Sequence, residues 1–177
     1  GFDKVPGPVV PLIAIPTTAG TGSECQSFAL ISDEVTHQKM ACGDPKASAK
    51  VAILDPQLTV GLPPKLTAAT GMDALAHCLE AYCAPFYHPL SAGVGLEGMR
   101  LVKENLAKAV KKGSDLDARG NMLMASTMGA TAFQRGLGAI HALSHPFGGL
   151  YDAHHGLLNG IVMPYVLDFS KSHCSNR

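Results

Sequence analysis

The sequence has little charge and no excess of either sign. Charged residues make up 16% of the 177 residues, and 14 basic side chains balance 14 acidic ones. A surface of this kind exerts no long-range attraction on nucleic acid or on anionic lipid. We therefore expect neither a nucleic-acid partner nor a membrane partner. Small molecules and further copies of the chain are the expected partners.

The cysteines form no C-x-x-C pair, and their number, five, is odd. This favours reduced thiols in an intracellular protein over a disulfide scaffold, and the predicted location is cytoplasmic. Long apolar runs are also missing, because the longest, near Leu157–Leu167, is short and contains Pro164. No segment is therefore expected to span a membrane. No secretory signal is visible, and a first residue Gly1 in place of Met suggests a fragment.

The first third of the chain contains short apolar segments separated by turn residues. Val9–Pro16 is nearly continuously apolar, which predicts a strand buried on both faces of a parallel α/β sheet. Further strands are predicted at Ser27–Asp33, Gln38–Cys42 and Val51–Leu54. Thr17–Glu24 follows the first strand and is rich in glycine and hydroxylated residues. Such a segment can bring backbone N–H groups to a phosphate or ribose, although it also suits an ordinary loop before a helix cap.

Helical periodicity dominates after Pro63-Pro64, where proline suits the first turn of a helix. Apolar residues then recur at three- and four-residue steps as far as Cys83. Two more helices are predicted at Leu90–Lys112 and Leu116–Arg135. Gly136–Gly138 is expected to precede a fourth helix, which Pro146 can distort without ending.

A second break is predicted at Gly148-Gly149, before a last helix that opens at His154-His155-Gly156 and runs toward Pro164.

The histidines concentrate in this helical part, and six of the eight lie between His77 and His155. Asp73 and His77 are four residues apart, as are His141 and His145. This spacing puts both side chains of a pair on one helix face. A half-buried carboxylate is costly unless it meets a cation or hydrogen-bond donors, and a divalent metal would supply that charge. The alternative for the first pair is an ordinary helix with a partly exposed ion pair.

Several motifs resemble those of the iron-containing (group III) alcohol dehydrogenases. They are Gly71-Met-Asp-Ala-Leu-Ala-His77, Gly136-Leu-Gly-Ala-Ile-His-Ala-Leu-Ser-His-Pro146 and His155-Gly156-Leu-Leu-Asn159. Ile15-Pro-Thr-Thr-Ala-Gly-Thr-Gly-Ser-Glu24 resembles that family's second cofactor-contact segment. The resemblance covers nearly the whole chain, with the motifs in the family's order.

The resemblance implies a role for each residue that matches a family motif. The implied metal ligands are Asp73, His77, His141 and His155, the implied cofactor contacts are Thr17, Thr18, Thr21 and Lys39, and the implied catalytic residue is His145. His145 would lie near the substrate and relay a proton, with a metal-ligand role in place of His141 and a structural role as alternatives. His154 is the alternative to His155, and Lys39 is equally compatible with an exposed strand lysine.

The implied fold class is α/β plus all-α. Residues 1–58 would be the end of a dinucleotide-binding, parallel-sheet α/β domain, and residues 59–177 an incomplete helical metal-binding domain. The implied activity is hydride transfer between a primary or short-chain alcohol, or its aldehyde, and NAD or NADP, with the metal polarising the substrate oxygen. Fe²⁺ is the expected metal, although one carboxylate and three imidazoles also accept Zn²⁺ or another divalent ion.

The resemblance also implies a homodimer or higher homo-oligomer for the full-length protein. The family's pyrophosphate-binding loop has no counterpart in this sequence, so we expect the isolated chain to bind cofactor poorly. Two alternatives remain at this point. One is a related metal enzyme of the same fold, such as a glycerol-dehydrogenase-like or dehydroquinate-synthase-like protein. The other is a catalytically inactive metal-binding fragment.

Overall fold

The computed structural model describes residues 5–36 and 39–174. Within these residues, four short strands precede five helices. The strands are β1 (Ile13–Ala14), β2 (Phe28–Ser32), β3 (Lys39–Gly43) and β4 (Val51–Ala52), and the helices are α1 (Pro64–Cys83), α2 (Pro89–Lys111), α3 (Leu116–Ala132), α4 (Ala139–Tyr151) and α5 (His155–Cys174). In this part of the chain, no helix combines the length and the hydropathy needed to cross a bilayer.

The strands form two small ladders. β1 pairs in parallel with β4, with Ile13 opposite Val51, and β2 pairs with β3 in antiparallel orientation. The prediction for the first strand was wrong in extent and burial, because only Ile13–Ala14 is extended in a ladder and Ile13 is 58% exposed. A parallel strand is buried only when helices cover both faces of its sheet. In the described residues β1 has β4 as its one neighbouring strand.

Helix α1 lies at the centre of the helical part. On one side it packs against α2 and α3, around a core that includes Ala74 and Met122. On the other side it packs against α4 and α5, where Ala76 contacts the cluster of Ile140 and Met163. Half of its 20 residues are buried, including charged and polar ones. Because buried polar groups need partners, this helix is where a functional site is expected.

The helix boundaries follow local capping rules. Pro64 occupies the first turn of α1, His88 Nδ1 accepts from Ser91 N at the start of α2, and the Asp115 side chain accepts from Ala118 N at the start of α3. These starts lie within a residue or so of the predicted ones. The N-cap of α4, Gly138, has no side chain to accept such a bond.

The predicted break at Gly148-Gly149 was wrong. Both glycines lie inside α4, which continues to Tyr151 and ends where Asp152 adopts a left-handed conformation with φ 48°. The two glycines keep negative φ and so do not use the conformational freedom that makes glycine a turn residue. Pro146 also lies inside α4, which agrees with the prediction that it does not end the helix.

Candidate metal centre

The carboxylate of Asp73 is the point on which three histidines converge. Its Oδ1 lies 3.5 Å from the Nε2 atoms of His77, His141 and His155. The ligand atoms of Asp73, His141 and His155 all lie within 4.8 Å of one another. In a tetrahedral site with metal–ligand distances of about 2.0–2.2 Å, neighbouring ligand atoms are roughly 3.3–3.6 Å apart. The distances of 3.5 Å from Asp73 Oδ1 fit a divalent transition metal, and Asp73, His141 and His155 form the compact ligand group, to which His77 adds a third imidazole near the carboxylate.

Three helices bring these side chains together. Asp73 and His77 lie four residues apart on α1, so they share a helix face. His141 is the third residue of α4, and His155 is the first residue of α5. Short sequence motifs thus identify the candidate ligands, but these side chains meet only because α4 and α5 pack against α1.

Gly156 explains how α5 comes so close to α1. A Cβ atom added at this glycine would lie 2.1 Å from the backbone oxygen of Ala69 and 3.3 Å from Asp73 Cβ. Any larger residue would push the two helices apart. The glycine after His155 therefore allows that histidine to reach the carboxylate.

Asn159, one turn after His155, also contacts the centre. Its Nδ2 donates to Asp73 Oδ1 over 2.7 Å and lies 3.3 Å from His141 Nε2 and 3.2 Å from His155 Nε2. The residue is completely buried, and its Oδ1 has no hydrogen-bond partner among the described residues. One carboxylate oxygen and two imidazole nitrogens therefore surround a single amide nitrogen. Oxygen and nitrogen atoms gathered around one buried point are typical of a cation site.

Glu80 contacts His141 on the side of the ring away from Asp73. Its Oε1 accepts from Ile140 N over 2.6 Å, and its Oε2 contacts His141 Nδ1. Neither Glu80 nor Asn159 was predicted to have a role at the site. The signal for Glu80 was its position, seven residues after Asp73 and three after His77 on the same helix face. For Asn159 it was the four-residue spacing from His155.

The carboxylates control the charge of the histidines. Burial by itself would lower the pKa of His141, but hydrogen bonds and charge from Asp73 and Glu80 raise it to about 9. Burial opposes ionisation of Asp73, yet the three histidines bring its pKa down to about 2. Burial lowers the pKa of His77, in spite of the Asp73 charge. Without metal, a proton on His141 supplies the positive charge that Asp73 requires, so metal binding would displace that proton.

The other two histidines near the centre occupy different positions. His145 is partly exposed, and its ring centroid lies 5.0 Å from that of His155 and 5.9 Å from that of His141. The structure therefore places His141 rather than His145 against Asp73. His154 is exposed, whereas His155 faces the carboxylate. The catalytic role of His145 stays a prediction.

The predicted cofactor threonines lie on a loop that is held between α1 and α3. A Cβ atom at Gly20 would lie 2.6 Å from the backbone oxygen of Thr70, one turn before Asp73. Gly22 has φ 60°, and a Cβ there would lie 2.2 Å from that of Ala130 on α3. Only glycine permits such close contacts with Thr70 and Ala130, so the loop backbone has a fixed position beside α1, the helix that carries Asp73 and His77.

The threonine side chains are accessible from this loop. Thr17 and Thr21 are exposed, and Thr18 is partly exposed. The Thr21 hydroxyl accepts from Ser23 N over 3.4 Å. The side chain of Lys39, the fourth predicted cofactor contact, lies outside the described residues. The assignment of all four to cofactor binding stays a prediction.

Comparison with known families gives two matches along the chain. The family described as iron-containing alcohol dehydrogenase matches residues 1–56, and the C-terminal region of the Fe-containing alcohol dehydrogenase family matches residues 67–177. The resemblance drawn from the motifs is confirmed by these matches.

The relatives include a 4-hydroxybutyrate dehydrogenase from Cupriavidus necator, which is 46% identical over 175 residues, 96% of this chain and 46% of the relative. An NAD-dependent methanol dehydrogenase from Bacillus methanolicus is 46% identical over 171 residues, with 96% and 45% coverage. The chain spans about half the length of these relatives.

Solved structures show the same architecture. A 1,3-propanediol oxidoreductase superposes with a TM-score of 0.92 at 38% identity, over 97% of this chain and 45% of the other. An alcohol dehydrogenase from Oenococcus oeni gives 0.91 at 37% identity, over 96% and 45%. The predicted fold class, α/β followed by an all-α part, is confirmed. The division into domains at residue 58 stays a prediction.

Proposed function

The chain belongs to the iron-containing alcohol dehydrogenase family, and we propose that it forms part of a metal-dependent alcohol dehydrogenase. The reaction would transfer hydride between an alcohol or its aldehyde and NAD or NADP. One observation carries the proposal, the 3.5 Å separations between buried Asp73 Oδ1 and the Nε2 atoms of His77, His141 and His155. The relatives named above are dehydrogenases of small alcohols and hydroxy acids, which supports the substrate class.

Asp73, His77, His141 and His155 would hold the metal, for which we propose Fe²⁺, with Zn²⁺ as the alternative. When bound, a divalent cation supplies Lewis acidity to the substrate oxygen. The chain itself contributes the enclosure of that site. Asp73 and His141 are almost completely buried, whereas the His155 side chain is 26% exposed. Substrate would therefore approach from the side of His155.

His145 lies on that open side. Its ring is close to His155 and is partly exposed, so it can exchange protons with solvent. Alcohol oxidation releases the hydroxyl proton, and a histidine in this position would carry it to bulk water. In aldehyde reduction the same ring would return a proton to the product oxygen.

The loop with Thr17, Thr18 and Thr21 would contact the nicotinamide cofactor. Its backbone contacts α1 at Thr70, one turn before Asp73, so a cofactor on this loop would lie beside the metal ligands. Hydride transfer requires that the donor and acceptor carbons meet, and a loop fixed on both sides favours this.

The adjacent histidines His154 and His155 provide a matched test. We expect His155→Ala to lose stoichiometric metal and NAD(P)-linked oxidation of short alcohols, because a ligand is removed. His154→Ala should keep both, since His154 is exposed and is not one of the three histidines whose Nε2 atoms lie 3.5 Å from Asp73 Oδ1. Metal is measured by elemental analysis of anaerobically purified protein, and activity by NAD(P)H formation. Activity is measured in a longer protein that also carries the family's pyrophosphate-binding loop, because the chain alone is expected to bind cofactor poorly. Full metal content in His155→Ala would refute the metal site, and a metal-loaded but inactive longer protein would refute the dehydrogenase assignment.

A further inference from the structure

We propose that Glu80 is a positioning residue of the metal centre, which fixes His141 as an Nε2 ligand and at the same time caps helix α4. The inference rests on the proposed metal site and deepens it. Glu80 lies on α1 and is almost completely buried. Each of its carboxylate oxygens contacts a different group on α4.

The first contact anchors the start of α4. The first backbone N–H groups of a helix lack partners within the helix, and an N-cap side chain normally accepts from one of them. Gly138 at the N-cap has no such side chain, and Glu80 Oε1 accepts from Ile140 N instead. A Cβ at Gly138 would lie 2.9 Å from that oxygen, so the glycine leaves room for the carboxylate. A negative charge at this position also favours the helix dipole.

The second contact orients the imidazole. Glu80 Oε2 contacts His141 Nδ1, so this nitrogen carries the proton and donates it to the carboxylate. The neutral ring then has its lone pair on Nε2, which is the atom 3.5 Å from Asp73 Oδ1. The ring is therefore held between two carboxylates that both belong to α1. Partners of this kind behind a ligating histidine commonly change metal affinity about 10–100-fold when removed.

The Glu80→Gln substitution separates positioning from simple packing. Glutamine has nearly the same size, but only its oxygen can accept, whereas the carboxylate accepts from both Ile140 N and His141 Nδ1. With the amide oxygen on Ile140, the amide N–H group faces Nδ1 and forces the ring proton onto Nε2. In that tautomer the lone pair is on Nδ1, so Nε2 cannot bind a metal. Glu80→Asp keeps an accepting carboxylate, so it should recover part of the affinity that Glu80→Gln loses.

The experiment is a Co²⁺ titration of the metal-free protein, followed through the visible absorption of the bound ion, with thermal unfolding measured in parallel. We expect Co²⁺ affinity about 10–100-fold lower for Glu80→Gln and a smaller loss for Glu80→Asp. Glu97→Gln is the matched control, because it removes the same unit of charge from a partly exposed position on α2 that pairs with Arg100. That variant should bind Co²⁺ within about twofold of the unsubstituted protein.

Two results would overturn the inference. One is unchanged affinity in Glu80→Gln, and the other is an equal loss in Glu80→Gln and Glu97→Gln. If Glu80→Gln does not fold, the Co²⁺ affinity of Glu80→Asp decides in its place. The shorter aspartate side chain cannot reach both Ile140 N and His141 Nδ1, so unchanged Co²⁺ affinity in Glu80→Asp would contradict the inference. Failure of the unsubstituted protein to bind Co²⁺ would refute the metal site itself and the Glu80 role with it. If the unsubstituted protein binds Co²⁺ and Glu80→Gln binds it equally well, only the proposed role of Glu80 is refuted.

Discussion

The helical part and the strand part of this chain are both apolar in sequence, but they differ in how much of that surface they bury. In the helices, Ala74, Cys78 and Leu123 are completely buried. In the strand part, Val10 is 86% exposed, and Ile13 and Phe28 are each more than half exposed. A hydrophobic run therefore predicts a surface that can be buried, whereas actual burial requires an element that covers it.

The physical difference is the number of neighbours. Helix α1 has α2 and α3 on one side and α4 and α5 on the other, so from Thr67 onward its residues are buried or partly buried. Each described strand pairs with one other strand. Isolated two-stranded ladders are marginally stable because they bury little apolar surface. The strand part thus depends on its contacts with the helices for a fixed position.

Those contacts coincide with the predicted cofactor loop. Gly20 and Gly22 are buried against α1 and α3, and buried Glu24 accepts from the Thr127 hydroxyl on α3 over 2.8 Å. The segment proposed to meet the cofactor is therefore held directly against two helices. This arrangement ties the cofactor loop to the helix that carries Asp73.

The largest expected effect on stability tests the difference in burial between the helical part and the strand part, with a methionine truncated in each. Met122→Ala on α3 should lower the free energy of unfolding by roughly 2–5 kcal/mol, because Met122 is 2% exposed within the core. Met40→Ala on β3, where the side chain is 48% exposed, should change it by less than about 0.5 kcal/mol. Denaturant unfolding measures both values. Equal costs at the two sites would remove the distinction between the regions.

The next effect concerns the contact between α1 and α5. Gly156→Ala should destabilise the protein by roughly 1–3 kcal/mol and weaken Co²⁺ binding, because its Cβ would lie 2.1 Å from the Ala69 backbone oxygen. Gly160→Ala is the control on the same helix, since its nearest neighbour, Met72 Cβ, would be 3.6 Å away. It should be neutral or stabilising by up to about 1 kcal/mol. Wild-type metal affinity in Gly156→Ala would contradict the close approach.

The smallest effect compares two thiols and involves no change of sequence. Cys78 on α1 is completely buried, and burial raises its pKa to about 12, whereas Cys42 on β3 is partly exposed. The thiolate is the reactive form, so we expect Cys42 to be alkylated at pH 8 well before Cys78. Mass spectrometry of partly alkylated protein gives the order. Raising the pH to about 9 should still leave Cys78 unmodified in the folded state, because its thiol stays protonated there.

The sequence predicted the local features of the fold well. The starts of α1, α2 and α3, and the strands β2 and β3, depend on proline placement, caps and periodicity within a few neighbouring residues. The end of α4 was not predicted, because Gly148-Gly149 suggested a turn that the chain makes only at Asp152. The prediction that β1 is buried was also wrong, because the burial of a strand depends on the elements that cover it and not on its own sequence.

The sequence by itself determined which side chains share a face of α1, because a helix repeats every three to four residues and Asp73, His77 and Glu80 follow that spacing. Only the tertiary structure decided what meets that face. Glu80 and His141 are 61 positions apart, and Asp73 and Asn159 are 86 positions apart. Such contacts have no local signature, because they arise from the packing of α4 and α5 against α1. The short sequence motifs therefore identify the proposed metal ligands, whereas the packing of the helices brings Glu80 and Asn159 into contact with those ligands.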